Sequence, residues 1–212
     1  MPRLIIVRHG ETDWNSQQIF RGRVDVPLNE VGRQQAAATA ELLKTVPVTA
    51  VISSPLARAM ETAAAIAVHH RLDVEIDQGI NDFNYGAWEG LSDDKVGELY
   101  PEKYQKWHSA PHKVVIPGGE SLEDLRCRAR LAVNRQMERF PKGNIVLVAH
   151  RVVNKILVLS LLGLDSSMFW NIRQDTCAIN VFDHDPGHGF VCVRVNDTCH
   201  LRNCPMGNPT DF

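Results

Sequence analysis

The chain has 212 residues, 44% of them hydrophobic and 23% charged, as expected for a globular domain with one sizeable core. Its 23 Lys and Arg against 25 Asp and Glu leave a formal net charge of −2. That balance supplies no general attraction to nucleic acid or to an anionic membrane, so any anion site has to be a local cluster of arginines.

Residues 4–7 (LIIV) read as a fully buried strand that stops at Arg8, His9 and Gly10. From Asn29, Ala36, Ala40 and Leu43 recur at helical spacing, and Pro47 follows the end of that helix. AVISS, at 50–54, is a second buried strand. Ser54 then stands where an N-cap belongs, with Pro55 at the first helical position of a helix over 56–70. VEIDQGI, at 74–80, is a third strand. Residues 81–120 are irregular and rich in Gly, Pro, Trp and Tyr, with short helices around 92–108, and are expected to form a small lid-like insertion over one end of the sheet. An amphipathic helix over 121–140 leads to NIVLVAH at 144–150, a fourth strand ending in histidine, and then to an apolar helix over 152–164. Residues 177–196 alternate as a hairpin around Asp185-Pro186-Gly187. Residues 1–203 are expected to form a single domain, followed by a loose tail over 204–212.

Strands alternating with helices predict a three-layer α/β/α sandwich, with a mostly parallel sheet closed by an antiparallel edge. Ligands of such sheets bind beyond the carboxyl ends of the strands. Arg8-His9, Arg58 and His150 all follow strands there. If those strands are neighbours, two arginines and two histidines converge near helix N-termini, a site suited to a phosphoryl dianion. Gly10 would let backbone approach closely. A neutral imidazole can attack phosphorus without a metal, arginine forks fit the equatorial oxygens, and a nearby carboxyl can protonate the leaving oxygen.

RHGETDWN, SSPLARAMETA, YGAWEG, PGGES and LVAH, in this order, resemble the histidine phosphatase superfamily, the phosphoglycerate-mutase-like enzymes, from residue 3 to about 200. The resemblance implies that His9 is the nucleophile that becomes phosphohistidine, and that Arg8, Arg58, His150 and Asn15 hold the phosphate. It also implies that Arg21, Gly22 and Tyr85 touch substrate and that Asp82 is the acid. Among these enzymes the chain is most similar to the metal-independent phosphoserine phosphatases, through PEKYQKWHSAPHKVVIPGGESL, LLGLDSSMFWNI and NDTCHL. That likeness makes His200 a candidate substrate contact. It implies no cofactor and no metal, a small phosphorylated metabolite as partner, and a homodimer.

Two positions depart from the family pattern. Relatives carry glutamate where Asp82 is one methylene shorter, and mutases carry glycine where Arg151 follows the second histidine. Arg151 is either a surface residue or a contact for a substrate carboxylate. Glu89 is an alternative acid, although a structural role in WEG fits it better. The alternatives for the whole chain are a broad-specificity sugar-phosphate or α-ribazole-phosphate phosphatase, a phosphoglycerate mutase, and a non-catalytic assembly subunit.

Other residues have plainer readings. Trp88 and Trp107 read as packing residues, and Arg126, Arg128 and Arg130 as a solvated helix face. His69-His70 ends a helix, and His184 and His188 flank a hairpin turn rather than sharing a metal-binding face. No cysteine is followed six positions on by arginine, and neither Asp-x-Asp-x-Thr/Val nor GxxxxGK[ST] occurs. Cys127, Cys177, Cys192, Cys199 and Cys204 are odd in number and lack paired zinc spacing, so free thiols in a reducing, cytoplasmic setting are expected. Met1-Pro2-Arg3 runs directly into the first strand, which leaves no room for a leader, and no apolar run approaches the ~20 residues of a membrane span.

Overall fold

A continuous apolar strand needs cover on both faces, and Leu4 to Val7 receives it. In the computed structural model, which describes residues 1–17 and 19–204, these residues lie in β1 (Arg3–Arg8) with exposures of 0–2%. Leu4 and Ile6 pack into the apolar cluster on one face, Ile5 and Val7 into that on the other.

β2 (Val48–Ser53), β3 (Val74–Ile76) and β4 (Asn144–Ala149) run parallel to β1, while β5 (Ile179–Asp185) and β6 (Gly189–Asp197) are antiparallel additions at one edge. The sheet order is β3-β2-β4-β1-β5-β6, so the three strands that lead to Ser54, His150 and Arg8-His9 are adjacent. In register, Arg8 faces Ala149 of β4, and Ser53 of β2 faces Val148, so these ends lie level.

A short α1 (Asp13–Ser16) follows β1, and α2 (Glu30–Leu43) and α3 (Ala57–Val68) cover the Ile5–Val7 face. The other face carries α4 (Asp93–Leu99), α5 (Pro101–Ser109), α6 (Leu122–Arg139) and α7 (Arg151–Leu161). The Gly- and Trp-rich segment belongs to this second core: Phe83, Trp88 and Trp107 are buried with Phe20 and Phe169, in edge-on, tilted and stacked contacts. The packing role read for both tryptophans holds.

Two boundaries differ from expectation. The third strand ends at Ile76, because Asp77 accepts from Gly79 N and turns the chain into a 3₁₀ turn over Gln78–Ile80. Helix α3 begins at Ala57 with Leu56 at the N-cap; the Ala57 N–H is met by Asp25 Oδ1 (2.8 Å), and Ser54 Oγ accepts from Leu56 N (3.5 Å) just ahead of the helix. The hairpin and the 121–140 helix stand where they were read, the latter capped by Ser121. All five cysteines are free. The expected tail lies, beyond Cys204, outside the described residues.

Candidate active site

The end of β1 delivers Arg8 and His9 into the protein, 1% exposed each. His9 Nδ1 lies 2.6 Å from the Gly10 carbonyl oxygen. A carbonyl only accepts, so this ring nitrogen carries the proton and donates it. Burial, reinforced by the charges of Arg58, Arg8 and Arg21, holds the His9 pKa well below the ordinary imidazole value. A neutral ring with its one proton on Nδ1 leaves a lone pair on Nε2.

Gly10 is required by close approach. A Cβ there would stand 2.5 Å from the Gly32 carbonyl oxygen at the start of α2. Its N–H donates to the Thr62 hydroxyl, which in turn donates to the Arg58 carbonyl, tying the tip of β1 to α3.

Arg58, in the first turn of α3, is fully buried. Its Nη1 donates to Val24 O (2.9 Å), and its Nη2 to Gly22 O (2.9 Å) and Asp82 Oδ2 (2.8 Å). Its Nε is buried without a partner among the described residues. Burial lowers the Arg58 pKa, against which Asp82 is the main opposing influence. Arg8 Nη1 donates to Gln174 O at 2.7 Å. The Gln174 and Asn180 side chains exchange two amide hydrogen bonds of 2.8 Å and so hold that segment against β1.

His150, at the end of β4, is fully buried, with its ring centroid 5.2 Å from that of His9. Its Nε2 is 2.6 Å from Ser54 Oγ, which also accepts from Leu56 N at 3.5 Å. Its Nδ1 stands 3.3 Å from Asp82 Oδ2, at ion-pair distance but without hydrogen-bond geometry. Burial first, then Arg58, Arg21, Arg128 and Arg8, keep His150 well below the ordinary value and therefore neutral. Asn154 on α7, in the orientation its neighbours require, accepts from Arg8 N (3.1 Å) and donates to His150 O (3.3 Å), bridging the two strand ends.

His9, Arg21, Gly22, Asp82, Tyr85 and Arg151 line one pocket, together with Ile19, Phe20 and Val152. Gly22 has φ +52°, and a Cβ there would overlap the Glu89 carboxylate. Glu89 Oε1 accepts from Arg23 N (3.0 Å) and Tyr85 N (3.2 Å), which is the supporting role read for it. Arg151 also lies over the Trp170 ring, 5.7 Å from its centroid. Asn15 is buried beside the motif, where its Oδ1 accepts from Thr12 N and Thr12 Oγ1.

His200 Nε2 is 3.0 Å from Thr39 Oγ1 on α2, and burial lowers its pKa. One expectation fails on geometry. Arg126 is partly exposed and paired with Glu123, as a solvated face requires, but Arg128 is turned inward, bonded to Glu120 and to three backbone carbonyls. Arg130 is partly buried against the Phe190 ring. The supporting roles of Ser54, Gln174 and Asn154 are not readable in the sequence. Only Ser54 carried a signal, its place directly after a buried strand. No group of three or more His, Cys, Asp or Glu among the described residues is arranged to hold a metal.

The model of the histidine phosphatase superfamily (branch 1) matches residues 4–198. Phosphoserine phosphatase 1 of Hydrogenobacter thermophilus is 35% identical over 201 residues, covering 95% of each chain. A probable phosphoglycerate mutase, GpmB, of Salmonella choleraesuis is 31% identical over 206 residues, again covering 95% of each. Among solved structures, Bacillus stearothermophilus YhfR superposes with a TM-score of 0.90 at 28% identity, over 95% of this chain and all of that one. The family match takes in β1, β2 and β4 with the residues at their ends, and the chain belongs to the histidine phosphatase superfamily.

Proposed function

We propose that this phosphatase hydrolyses a small phosphomonoester, phosphoserine foremost, through a phosphohistidine on His9 and without a metal. The observation that carries the mechanism is the neutral His9 ring, its proton fixed on Nδ1 by Gly10 O, among buried guanidinium groups. Arg8 and Arg58 supply charge to the phosphoryl oxygens. The buried Arg58 Nε is a donor suited to one of them. His9 Nε2 forms the bond to phosphorus as the bond to the leaving oxygen breaks, and Asp82 gives that oxygen a proton. Water then attacks phosphohistidine, Asp82 takes the proton back, and phosphate departs.

Phosphoserine as substrate is supported by the 35% identity to a phosphoserine phosphatase and by the likeness of residues 101–122, 161–172 and 196–201 to such enzymes. The mutase-named relative marks the competing reading; Arg151 after His150, where mutases carry glycine, argues against it. A homodimer in the cytoplasm completes the proposal. Its support is the edge strand β6, with Val191, Val193 and Val195 exposed, and the free thiols. The test is a panel of phosphoserine, 3-phosphoglycerate, sugar phosphates and α-ribazole phosphate compared by kcat/KM, with and without EDTA. Phosphoserine is expected to lead and EDTA to have no effect. A flat panel removes the substrate assignment, and activity retained by His9→Ala removes the mechanism.

A further inference from the structure

Asp82 stands in a stretch that no strand or α-helix fixes, between the 3₁₀ turn at Gln78–Ile80 and the turn at Gly86–Trp88. An aspartate reaches outward by only two side-chain torsions, so the backbone beneath it sets where its oxygens go. That backbone is held from α6. Arg128 Nη1 donates to Gly79 O (2.9 Å) and Asn81 O (2.7 Å), and Nη2 donates to Asp82 O itself (2.9 Å). The same guanidinium makes a two-pronged pair with Glu120, Nε to Oε2 at 2.9 Å and Nη2 to Oε1 at 2.6 Å. Glu120 Oε1 also accepts from Asn84 N (2.8 Å), and Glu120 N donates to Asn84 O (3.0 Å). The pair therefore grips the chain on both sides of Asp82. Two turns further along α6, Arg135 and Gln136 hold Asp77, where the stretch begins.

We infer that Arg128 and Glu120 are positioning residues for proton transfer: they fix Asp82 at the reach its short side chain requires for the leaving oxygen. The inference rests on the reading of Asp82 as the acid. A guanidinium with every nitrogen engaged, three of its bonds to the carbonyls of Gly79, Asn81 and Asp82, is a rigid clamp that lysine cannot reproduce.

The experiment uses leaving groups of different need. Phosphoserine expels an alkoxide that requires a proton; p-nitrophenyl phosphate expels a phenolate that does not. Both are assayed with the full-length wild type, Arg128→Met, Glu120→Gln, Asp82→Asn and the Asp82→Asn/Arg128→Met double variant. Arg128→Met is expected to lower kcat on phosphoserine by roughly 10–100-fold, part of the 10²–10⁴ that general acid catalysis supplies, with KM nearly constant and p-nitrophenyl phosphate turnover within about threefold. Glu120→Gln, the milder change, shows the same pattern at smaller size and serves if Arg128→Met does not fold. The double variant shows no selective loss beyond Asp82→Asn. Equal losses on both substrates, while Asp82→Asn remains selective, overturn the inference and leave the acid assignment standing. If Asp82→Asn is itself unselective, the acid assignment falls and the inference with it.

Discussion

The two buried histidines make acid stability a measure of the site. Both are neutral in the folded protein because burial, and then the neighbouring arginines, depress their pKa values. In the unfolded chain each returns to its ordinary value of 6.5. Above that value neither state binds the proton, and the contribution to stability is complete. As pH falls below 6.5 the unfolded chain takes up protons that the folded chain refuses, so stability declines until the folded-state values are reached. One pH unit below 6.5, the loss is at most ~1.4 kcal/mol for each histidine, or ~3 kcal/mol for the two. In a domain of this size that lowers the melting temperature by roughly 6–11 °C. Urea unfolding at pH 7.5 and 5.5, in buffer free of phosphate, measures the difference. His70 and His200 also titrate low, so the informative quantity is the wild-type loss minus that of a His9→Asn/His150→Asn double variant. The carboxylates with depressed values lose their contribution in a more acidic range and largely cancel in this comparison. A double variant that loses as much stability as the wild type refutes the claim that these rings are buried neutral.

Ser54→Ala removes the partner of buried His150 Nε2; a loss of ~1–3 kcal/mol in stability is expected, with a fall in kcat/KM on every phosphomonoester, measured by urea unfolding and steady-state assay. Gly10→Ala places a methyl 2.5 Å from the Gly32 carbonyl oxygen, which is backbone and cannot rotate away. It is expected to cost ~1–3 kcal/mol or more and to lower turnover by disturbing the carbonyl that holds His9, and an unchanged melting curve would contradict the close approach.

What the sequence revealed follows from how each feature is encoded. β1 and β4 are continuous apolar runs ending in charge, the pattern of strands buried on both faces, but their adjacency was left open by the alternation of strand and helix and comes from the sheet order. Ser54 stands two residues ahead of the helix N-cap that a serine before proline signals, and nothing local marks that its hydroxyl also bonds a histidine 96 residues away. Arg128 was misread for a related reason. Its helix repeats arginines at 126, 128 and 130, and nothing in that pattern marks which of them meets the chain between β3 and α4. His200 was read as a substrate contact by likeness alone, and no sequence pattern marked its contact with Thr39 on α2. Local patterns thus located the strand ends, while the groups that steady them depend on pairings far apart in sequence.

The two kinds of cation in the site respond to burial in opposite ways, and the chemistry uses the difference. A guanidinium cannot shed its charge, so a buried one must be met by acceptors. Arg58 finds them in Val24 O, Gly22 O and Asp82, and Arg8 finds one in Gln174 O. An imidazole can shed its charge, and the same burial and the same arginines drive it to do so. One environment therefore yields fixed positive charge for phosphoryl oxygens and an unprotonated nitrogen for phosphorus, within a single cluster at three adjacent strand ends. Replacing either arginine with a neutral residue would then act twice, by removing charge from the phosphate site and by relaxing the depression that keeps His9 ready to attack.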